Sequence, residues 1–280
     1  MCRHLAYLGP PVTLAESVLH QPHSLLQQSW APSDMRGGGT INADGFGIGW
    51  LGSGTDAGGN GTDSLRAGGE GPRRARRYRR DRPMWSDATL PELAASITSG
   101  AVLAAVRCAT VGMPVTESAC APFVEGPAMF SHNGVIDRWP DSVAALAGAL
   151  PPAVLMKLDA PTDSAFLWAL VREHLRKGRS AATALAEVVA DVLALAPRSR
   201  LNLLLNDGRV VAATTVSHSL WVLQGENSVT VSSEALDPGN PRWQAVPNFC
   251  LLEASATFCS IKALSDPTGV RATPVDSPVV

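Results

Sequence analysis

Two long helical patterns separate two strand-rich regions of this chain. Residues 163–176 ("DSAFLWALVREHLR") and 180–194 ("SAATALAEVVADVLA") carry apolar side chains at the spacing of one helix face. Before them, Gly-bounded apolar runs such as 44–51 ("DGFGIGWL") are typical of strands. From residue 201 onward, short β patterns follow one another and predict an antiparallel meander. Strands, then helices, then strands predict an α+β fold in which helices cover the sheets.

The composition allows a large core and excludes several classes of protein. Of the 280 residues 45% are hydrophobic, so residues 2–280 can form a single packed domain. A formal net charge of −2 gives no reason to expect nucleic acid or an anionic membrane as partner. No apolar run reaches the ~18 residues of a membrane span, and we find no signal-peptide pattern. We therefore expect a soluble, cytoplasmic enzyme or binding protein.

The cysteines and histidines do not have the spacing of disulfide or metal sites. The five cysteines are an odd number without a CxxC pair, and the six histidines include no HExxH motif. We expect neither a disulfide framework, nor a metal, nor a cofactor. Any chemistry then has to come from side chains and backbone.

Short local signals predict where some elements begin and turn. Thr13 lies three residues before Glu16, a capping-box spacing that predicts a short helix after the first strand, "CRHLAYLG". The dipeptide Asn133-Gly134 interrupts the run "AMFSHNGVI" and predicts a tight turn with positive φ. A second such turn, between two β runs, is predicted at Asp207-Gly208.

One segment differs in composition from the rest of the chain. Residues 52–82 are Gly-rich with almost no large apolar side chain, and they include the run "RRARRYRR". The arginines could form an anion-binding patch, but a solvated charge run is the commoner arrangement. We predict a flexible surface loop over the whole of 52–82.

Cys2 follows the initiator methionine directly, and two explanations fit its position. Free cysteine behaves as a small apolar residue, so it could simply begin a buried strand. Alternatively, removal of methionine would place the α-amine of Cys2 beside its own thiol. The usual amine pKa of about 7.7–8.0 suits a general base near neutrality. Such a nucleophile needs only oxyanion donors and groups that hold the charged ends of a substrate.

Seven segments favour the second explanation, because together they resemble a known family. They are "MCRHLAYLGPP", "PHSLLQQSWAP", "NADGFGIGW", "VRCATVG", "SHNGVI", "PTDSAFL" and "VSSEALDP". In this order they resemble the class II glutamine amidotransferases of the N-terminal-nucleophile hydrolase superfamily. The resemblance extends to about residue 237 and implies a four-layer αββα sandwich, two antiparallel sheets between helical layers. The first three segments are most similar to the branch that acts on γ-glutamyl hercynylcysteine sulfoxide in ergothioneine biosynthesis.

The resemblance also implies roles for five residues. Cys2 matches the nucleophile, and the side-chain amide of Asn133 with the backbone N–H of Gly134 matches the oxyanion hole. Arg107, in "VRCAT", matches the arginine that binds the α-carboxylate of the substrate. Asp163 matches the acid that binds its α-ammonium group.

Each of these residues also has a structural explanation. Asn133-Gly134 could be an ordinary hairpin turn, and Arg107 an ordinary structural arginine. Asp163 or Thr162 is also suited to capping the helix that follows.

Other polar and aromatic residues near these motifs have both structural and functional explanations. His4 and His132 could tune the amine or touch the substrate, although hydrogen-bonded structural histidines are commoner. We interpret Asn42, Asp44 and Gly45 as a turn beside the site. Three tryptophans are candidates for contact with a quaternary ammonium group, although tryptophans in core positions are commoner; they are Trp30, Trp50 and Trp139.

Two departures from the family pattern bear on the substrate. Members that pass ammonia to a synthase carry Trp and His within the arginine motif, where this chain has Cys108 and Val111. The sequence also offers no second catalytic domain to receive ammonia. Both departures favour hydrolysis of a γ-glutamyl conjugate through a thioester on Cys2, giving glutamate and hercynylcysteine S-oxide. The alternatives are a glutaminase subunit that supplies a separate synthase, and a binding module whose site is idle.

Overall fold

The computed structural model of the protein describes residues 2–35, 41–52 and 73–265. Within them the strands form two antiparallel sheets. In chain order the strands are β1 (Arg3–Thr13), β2 (Phe46–Leu51), β3 (Ala75–Arg80), β4 (Thr98–Val106), β5 (Phe123–Glu125), β6 (Ala128–Val135), β7 (Arg200–Asn206), β8 (Val211–Thr215), β9 (Trp221–Gln224), β10 (Val229–Ser232), β11 (Gln244–Ala245), β12 (Cys250–Ala254) and β13 (Cys259–Ala263).

The strand order brings the start of the chain to the centre of one sheet. The first sheet has the order β11-β9-β10-β1-β4-β2-β3, and the second has β13-β12-β8-β7-β6-β5. Strand β1 is therefore paired on both sides, and so are β6 and β7. Strands with neighbours on both sides have no free edge, and they hold their terminal residues in defined positions.

Helices cover the outer face of each sheet. They are α1 (Leu14–Val18), α2 (Leu25–Trp30), α3 (Leu90–Ser96), α4 (Ala144–Ala149), α5 (Pro152–Leu155), α6 (Asp163–Arg176) and α7 (Ala181–Leu195). Helix α1 begins where the sequence predicts, since the Thr13 hydroxyl accepts a hydrogen bond from the Glu16 N–H at 3.0 Å. None of the described helices is long and apolar enough to cross a membrane.

Apolar side chains of the described residues fill the spaces between the layers. Leu5 and its neighbours lie between α1–α3 and the first sheet, and Leu103 and Leu204 pack between the two sheets. Below α6 and α7, the Trp168 ring stacks on Phe130 of the second sheet with ring centroids 5.3 Å apart. The predicted α+β fold, a four-layer αββα sandwich, is confirmed.

The C-terminal strands do not form the single meander that the sequence predicts. The hairpin at Asp207-Gly208 is present between β7 and β8, and Gly208 has a φ of +79°. Strands β9, β10 and β11, however, join the first sheet, whereas β12 and β13 return to the second. The alternation of apolar residues within a strand marks a buried face but not the sheet that the strand joins.

The prediction of a loop over the whole of 52–82 is wrong for its arginine-rich end. Residues 53–72 lie outside the described residues, but Ala75–Arg80 form β3, which pairs with β2. Arg77 bonds Asp159 at 3.1 Å, and Arg79 donates to the backbone oxygen of Cys120 at 3.1 Å. An edge strand tolerates arginines because their stems lie along apolar surface while their heads find acceptors.

The predicted turn at Asn133-Gly134 is also wrong. Strand β6 continues to Val135, and its register with β7 places Asn133 opposite Asn202. The glycine serves close packing, because a Cβ at Gly134 would overlap the carbonyl oxygen of Arg200. Pairing with β7 keeps Asn133-Gly134 in an extended strand, although this dipeptide favours a turn when no partner strand is present.

Candidate active site

Cys2 and Arg107 meet at one end of the first sheet. Cys2 directly precedes β1, Arg107 directly follows β4, and the pairing of Arg3 with Val106 sets the two side by side. The Cys2 thiol is partly buried and donates to the backbone oxygen of Cys108 at 3.7 Å. A thiol and a guanidinium group thus lie at the same sheet end.

The environment of Cys2 raises the pKa of its thiol. Burial raises the pKa of the Cys2 thiol, although the bond to Cys108 and the charge of Arg107 act in the opposite direction. A thiol with a raised pKa carries little thiolate at neutral pH, and it needs an adjacent base to act as a nucleophile.

The turn before β2 holds the loop that carries Arg107. The Arg107 N–H donates to the Gly45 oxygen at 2.7 Å, and the Asp44 carboxylate accepts from the Ala109 N–H at 2.8 Å. The guanidinium group of Arg107 donates to the Pro114 oxygen at 2.8 Å. Because a guanidinium group has five N–H donors, this single bond leaves donors for a bound carboxylate.

Gly45 and Asn42 occupy tightly packed positions in the same turn. Gly45 has a φ of +128°, and a Cβ there would overlap the Cys120 sulfur. The Asn42 N–H donates to the Ser29 oxygen at 2.7 Å and ties the turn to the end of α2. This turn therefore lies beside Arg107.

Asn133 approaches from the second sheet. Side chains alternate along a strand, so Asn133 lies on the same face of β6 as Ser131, whose hydroxyl is 3.2 Å from His4 Nδ1 in β1. The amide of Asn133 is buried and makes no hydrogen bond among the described residues. A buried side-chain amide without a partner is uncommon, and it is available to a ligand.

Asp163 lies at the end of β6, just beyond Gly134. Its carboxylate accepts from the Ile136 N–H at 3.1 Å and from the Ser164 N–H at 2.7 Å. Of the two residues that the sequence offers as helix cap, Thr162 is the one whose hydroxyl caps α6, bonding the Ala165 N–H at 3.2 Å. The Asp163 carboxylate therefore joins the end of β6 to the first turn of α6.

The two histidines near the site have different environments. His132 bonds the Arg200 oxygen and the Ser164 hydroxyl, each at 3.0 Å, so both of its ring nitrogens have partners. His4 is fully buried, and burial together with the nearby His132 lowers its pKa to about 3. His4 is therefore neutral at physiological pH. The contacts of His132 are those of a structural histidine.

A buried ion pair that the sequence analysis missed supports Cys2. Arg3 is 1% exposed; its guanidinium donates to Glu234 at 2.8 Å, to the Cys2 oxygen at 3.0 Å and to the Asp34 oxygen. Burial opposes ionisation of Glu234, but hydrogen bonds from His23 and Ser33 and the charge of Arg3 outweigh it and lower its pKa. The sequence did contain a signal for this ion pair, because Arg3 is a charged residue within the apolar pattern of the first strand.

A cavity of about 940 Å³ opens beside this ion pair. Two tryptophans line it, Trp221 of β9 and Trp243 in the segment before β11. The three tryptophans singled out in the sequence analysis lie elsewhere. Trp30 is exposed at the end of α2, Trp50 packs below α1–α3, and Trp139 packs against Phe166 of α6.

The described residues contain no set of three His, Cys, Asp or Glu side chains close enough to hold a metal ion. The groups gathered at the sheet ends are instead a thiol, a guanidinium group, a side-chain amide and a carboxylate. This set can bind a zwitterionic amino-acid end and attack an adjacent carbonyl.

Comparison with solved structures identifies the fold. A glutamine aminotransferase class-II domain protein from Silicibacter pomeroyi superposes with a TM-score of 0.60 at 21% sequence identity, covering 95% of this chain and 100% of that one. The fold is that of the class II glutamine amidotransferases, an N-terminal-nucleophile hydrolase fold. No protein-family model matches the sequence.

Curated relatives identify the particular family. Gamma-glutamyl-hercynylcysteine sulfoxide hydrolase of Mycolicibacterium smegmatis is 39% identical over 253 residues, which cover 90% of this chain and 95% of the relative. The protein of the same name from Mycobacterium tuberculosis is 34% identical over 271 residues, 97% of this chain and 100% of the relative. The chain belongs to the gamma-glutamyl-hercynylcysteine sulfoxide hydrolase family.

Proposed function

We propose that the protein hydrolyses the γ-glutamyl amide bond of γ-glutamyl hercynylcysteine S-oxide, releasing glutamate and hercynylcysteine S-oxide in ergothioneine biosynthesis. The observation that carries this proposal is the alignment with hydrolases of that name, which covers 90–97% of this chain at 34–39% sequence identity. The site supports it, because a thiol and a guanidinium group share one sheet end opposite an unpartnered buried amide.

In the proposed mechanism Cys2 is both nucleophile and base. After removal of Met1, the α-amine of Cys2 takes the thiol proton while the sulfur attacks the γ-carbonyl carbon. The resulting ammonium group returns this proton to the leaving nitrogen as the C–N bond breaks, which leaves a thioester. Water, deprotonated by the same amine, then hydrolyses the thioester and frees glutamate. The raised thiol pKa supports the need for such a base.

The remaining residues have binding roles in this proposal. The Asn133 amide and the Gly134 N–H donate to the oxyanion that forms on the γ-carbonyl oxygen. Arg107 binds the α-carboxylate, because the guanidinium fork matches a planar anion with two hydrogen bonds. Asp163 binds the α-ammonium group, because its two hydrogen bonds from backbone N–H groups leave lone pairs on the carboxylate oxygens free to accept further bonds.

The neighbours Thr162 and Asp163 should separate helix stability from substrate binding. We expect Thr162→Ala to lower the free energy of unfolding by about 1 kcal/mol through loss of the cap, with kcat/KM nearly unchanged. Asp163→Asn keeps the shape and removes the charge. It should lower kcat/KM about 10- to 100-fold, the usual range for a charge-assisted hydrogen bond. Urea unfolding and glutamate release measured on both variants decide this, and an unchanged kcat/KM in Asp163→Asn would exclude the ammonium-binding role.

The substrate is tested by glutamate release from the conjugate and from glutamine. We expect kcat/KM for γ-glutamyl hercynylcysteine S-oxide to exceed that for glutamine by at least ~10²-fold, because binding energy from the far half of the conjugate can orient the scissile carbonyl. Glutathione serves as a control γ-glutamyl compound with a different remainder. Equal kcat/KM values for the three substrates would favour the glutaminase alternative.

We also propose that the protein acts in the cytoplasm. All five of its cysteines are free thiols, which is the usual state in reducing compartments.

A further inference from the structure

The ring of His132 contacts two groups that lie beside the proposed oxyanion and ammonium sites. His132 belongs to β6, directly before Asn133, and is 5% exposed. Its Nε2 is 3.0 Å from the Arg200 oxygen, and its Nδ1 is 3.0 Å from the Ser164 hydroxyl. Ser164 in turn donates its backbone N–H to the Asp163 carboxylate at 2.7 Å. The ring therefore connects the start of β7 with the first turn of α6.

The contact with Arg200 decides which ring nitrogen of His132 carries the proton. A carbonyl oxygen only accepts hydrogen bonds, so Nε2 has to donate to it. In a neutral imidazole the other nitrogen then has no proton and can only accept. The Ser164 hydroxyl therefore donates its proton to His132 Nδ1.

The Ser164 hydroxyl has a second acceptor within reach. Asp163 Oδ1 is 3.4 Å away, which is long for a bond from a hydroxyl group. A hydroxyl has one proton, so donation to His132 Nδ1 at the shorter distance excludes donation to Asp163. The Asp163 carboxylate then receives two bonds, from the N–H groups of Ile136 and Ser164. Because a carboxylate accepts about four hydrogen bonds, roughly two positions stay open for an ammonium group.

Close packing holds the His132 ring in this orientation. The Arg200 oxygen that accepts from Nε2 also lies against Gly134, and a Cβ at Gly134 would overlap both that oxygen and the Nε2 atom. Ring, carbonyl group and glycine thus leave no space for the ring to turn over and exchange its two nitrogens. Nδ1 accordingly stays directed at Ser164.

We propose that His132 is a positioning residue for the substrate's α-ammonium group and acts through the Ser164 hydroxyl. By accepting the hydroxyl proton, the ring keeps Ser164 from donating to Asp163, and the carboxylate stays open to the ammonium. This role rests on the proposed function for the binding role of Asp163. The α-ammonium group belongs to the glutamyl half, so glutamine and the γ-glutamyl conjugate depend on His132 equally.

Two substitutions of His132 separate its two contacts. In His132→Gln the side-chain N–H₂ can replace Nε2 as donor to Arg200, whereas the acceptor for Ser164 is lost and the hydroxyl turns to Asp163. We expect KM to rise about 3- to 10-fold, the range of one ordinary hydrogen bond, with kcat changed less than twofold. In His132→Asn the amide oxygen can replace Nδ1 instead. Its KM should stay within about twofold of wild type, while the urea midpoint falls through loss of the Arg200 bond.

Removal of the hydroxyl group gives the decisive comparison. Ser164→Ala takes away the group that competes for Asp163, so the double variant His132→Gln/Ser164→Ala should recover the wild-type KM. A general disturbance of the site would instead multiply the two losses. Ser164→Ala alone should keep KM within about twofold, since the hydroxyl does not bond Asp163 while His132 is present.

His174→Gln is the matched control, because His174 lies in the last turn of the same helix and bonds Glu187 at 2.7 Å. KM and kcat come from glutamate release with glutamine and with γ-glutamyl hercynylcysteine S-oxide, and the same factors are expected for both. An unchanged KM in His132→Gln, no recovery in the double variant, or a KM raised more than threefold in Ser164→Ala would each overturn the role of His132. Equal kcat/KM of the wild-type enzyme for the two substrates would overturn the proposed function instead, without affecting these comparisons.

Discussion

Cys2→Ala should release no glutamate above the buffer rate from any γ-glutamyl substrate. In the proposed mechanism the substitution removes the thiol that forms the thioester. The variant should fold normally, because the thiol is partly buried and makes a single weak bond to the Cys108 oxygen. Glutamate release and thermal unfolding, measured on the same preparation, give the two readouts.

Cys108→Ala is the matched control for Cys2→Ala, since Cys108 is a free thiol in the same part of the site. It should remain active. Intact mass should show that Met1 is absent from active preparations, because the base in the mechanism is the exposed amine of Cys2. Steady turnover by Cys2→Ala would rule out this cysteine as the nucleophile.

Asn133→Ala should lower kcat about 10²- to 10³-fold, the usual loss when one oxyanion donor is removed. The KM should change little, because the amide donates most strongly when charge develops on the γ-carbonyl oxygen. The stability should also be nearly unchanged, since the Asn133 amide makes no hydrogen bond among the described residues. Single-turnover and steady-state rates, together with urea unfolding, distinguish these effects.

Ser131→Ala is the control for this strand face. Ser131 lies two residues before Asn133 on the same side of β6, and its hydroxyl contacts His4 rather than the proposed oxyanion position. Its kcat should fall less than tenfold. If kcat of Asn133→Ala also falls less than tenfold, Asn133 is not an oxyanion donor and its role is structural.

The five proposed site residues could be named from the sequence only through their motifs, and their contacts depend on the fold. Asp163 and Thr162 are adjacent, and either can cap a helix when residue type alone is considered. Thr162 provides the cap, whereas the Asp163 carboxylate links the Ile136 N–H at the end of β6 to the Ser164 N–H of the first helical turn. Ile136 lies next to Asp163 because it directly follows β6 of the second sheet. No local sequence pattern predicts the order of strands in that sheet.

The partner of Arg3 could not be predicted from the sequence either. Glu234 is 231 residues away, and the two meet because β1 and β10 are neighbours in the first sheet. The tryptophans show the same dependence. Trp30, Trp50 and Trp139 belong to segments near the catalytic motifs in sequence, whereas Trp221 and Trp243 reach the cavity through the pairing of β9 with β10 and β11.

The sequence by itself determined the elements whose signals are local. The apolar spacing of 163–176 and 180–194 led to α6 and α7, Thr13 to the start of α1, and Asp207-Gly208 to the β7–β8 hairpin. These features depend on residues within a turn or two of each other, where hydrogen bonds and side-chain contacts form within one segment.

Only the tertiary structure decided which strands share a sheet and what each strand end faces. Asn133-Gly134 became part of β6 because β7 supplies a pairing partner and the Arg200 oxygen leaves no space for a Cβ. Strands β9 to β13 divided between two sheets, although each has the same kind of alternating pattern. The physical reason is that strand pairing and burial join residues far apart in the chain, and their free energy depends on the assembled surface.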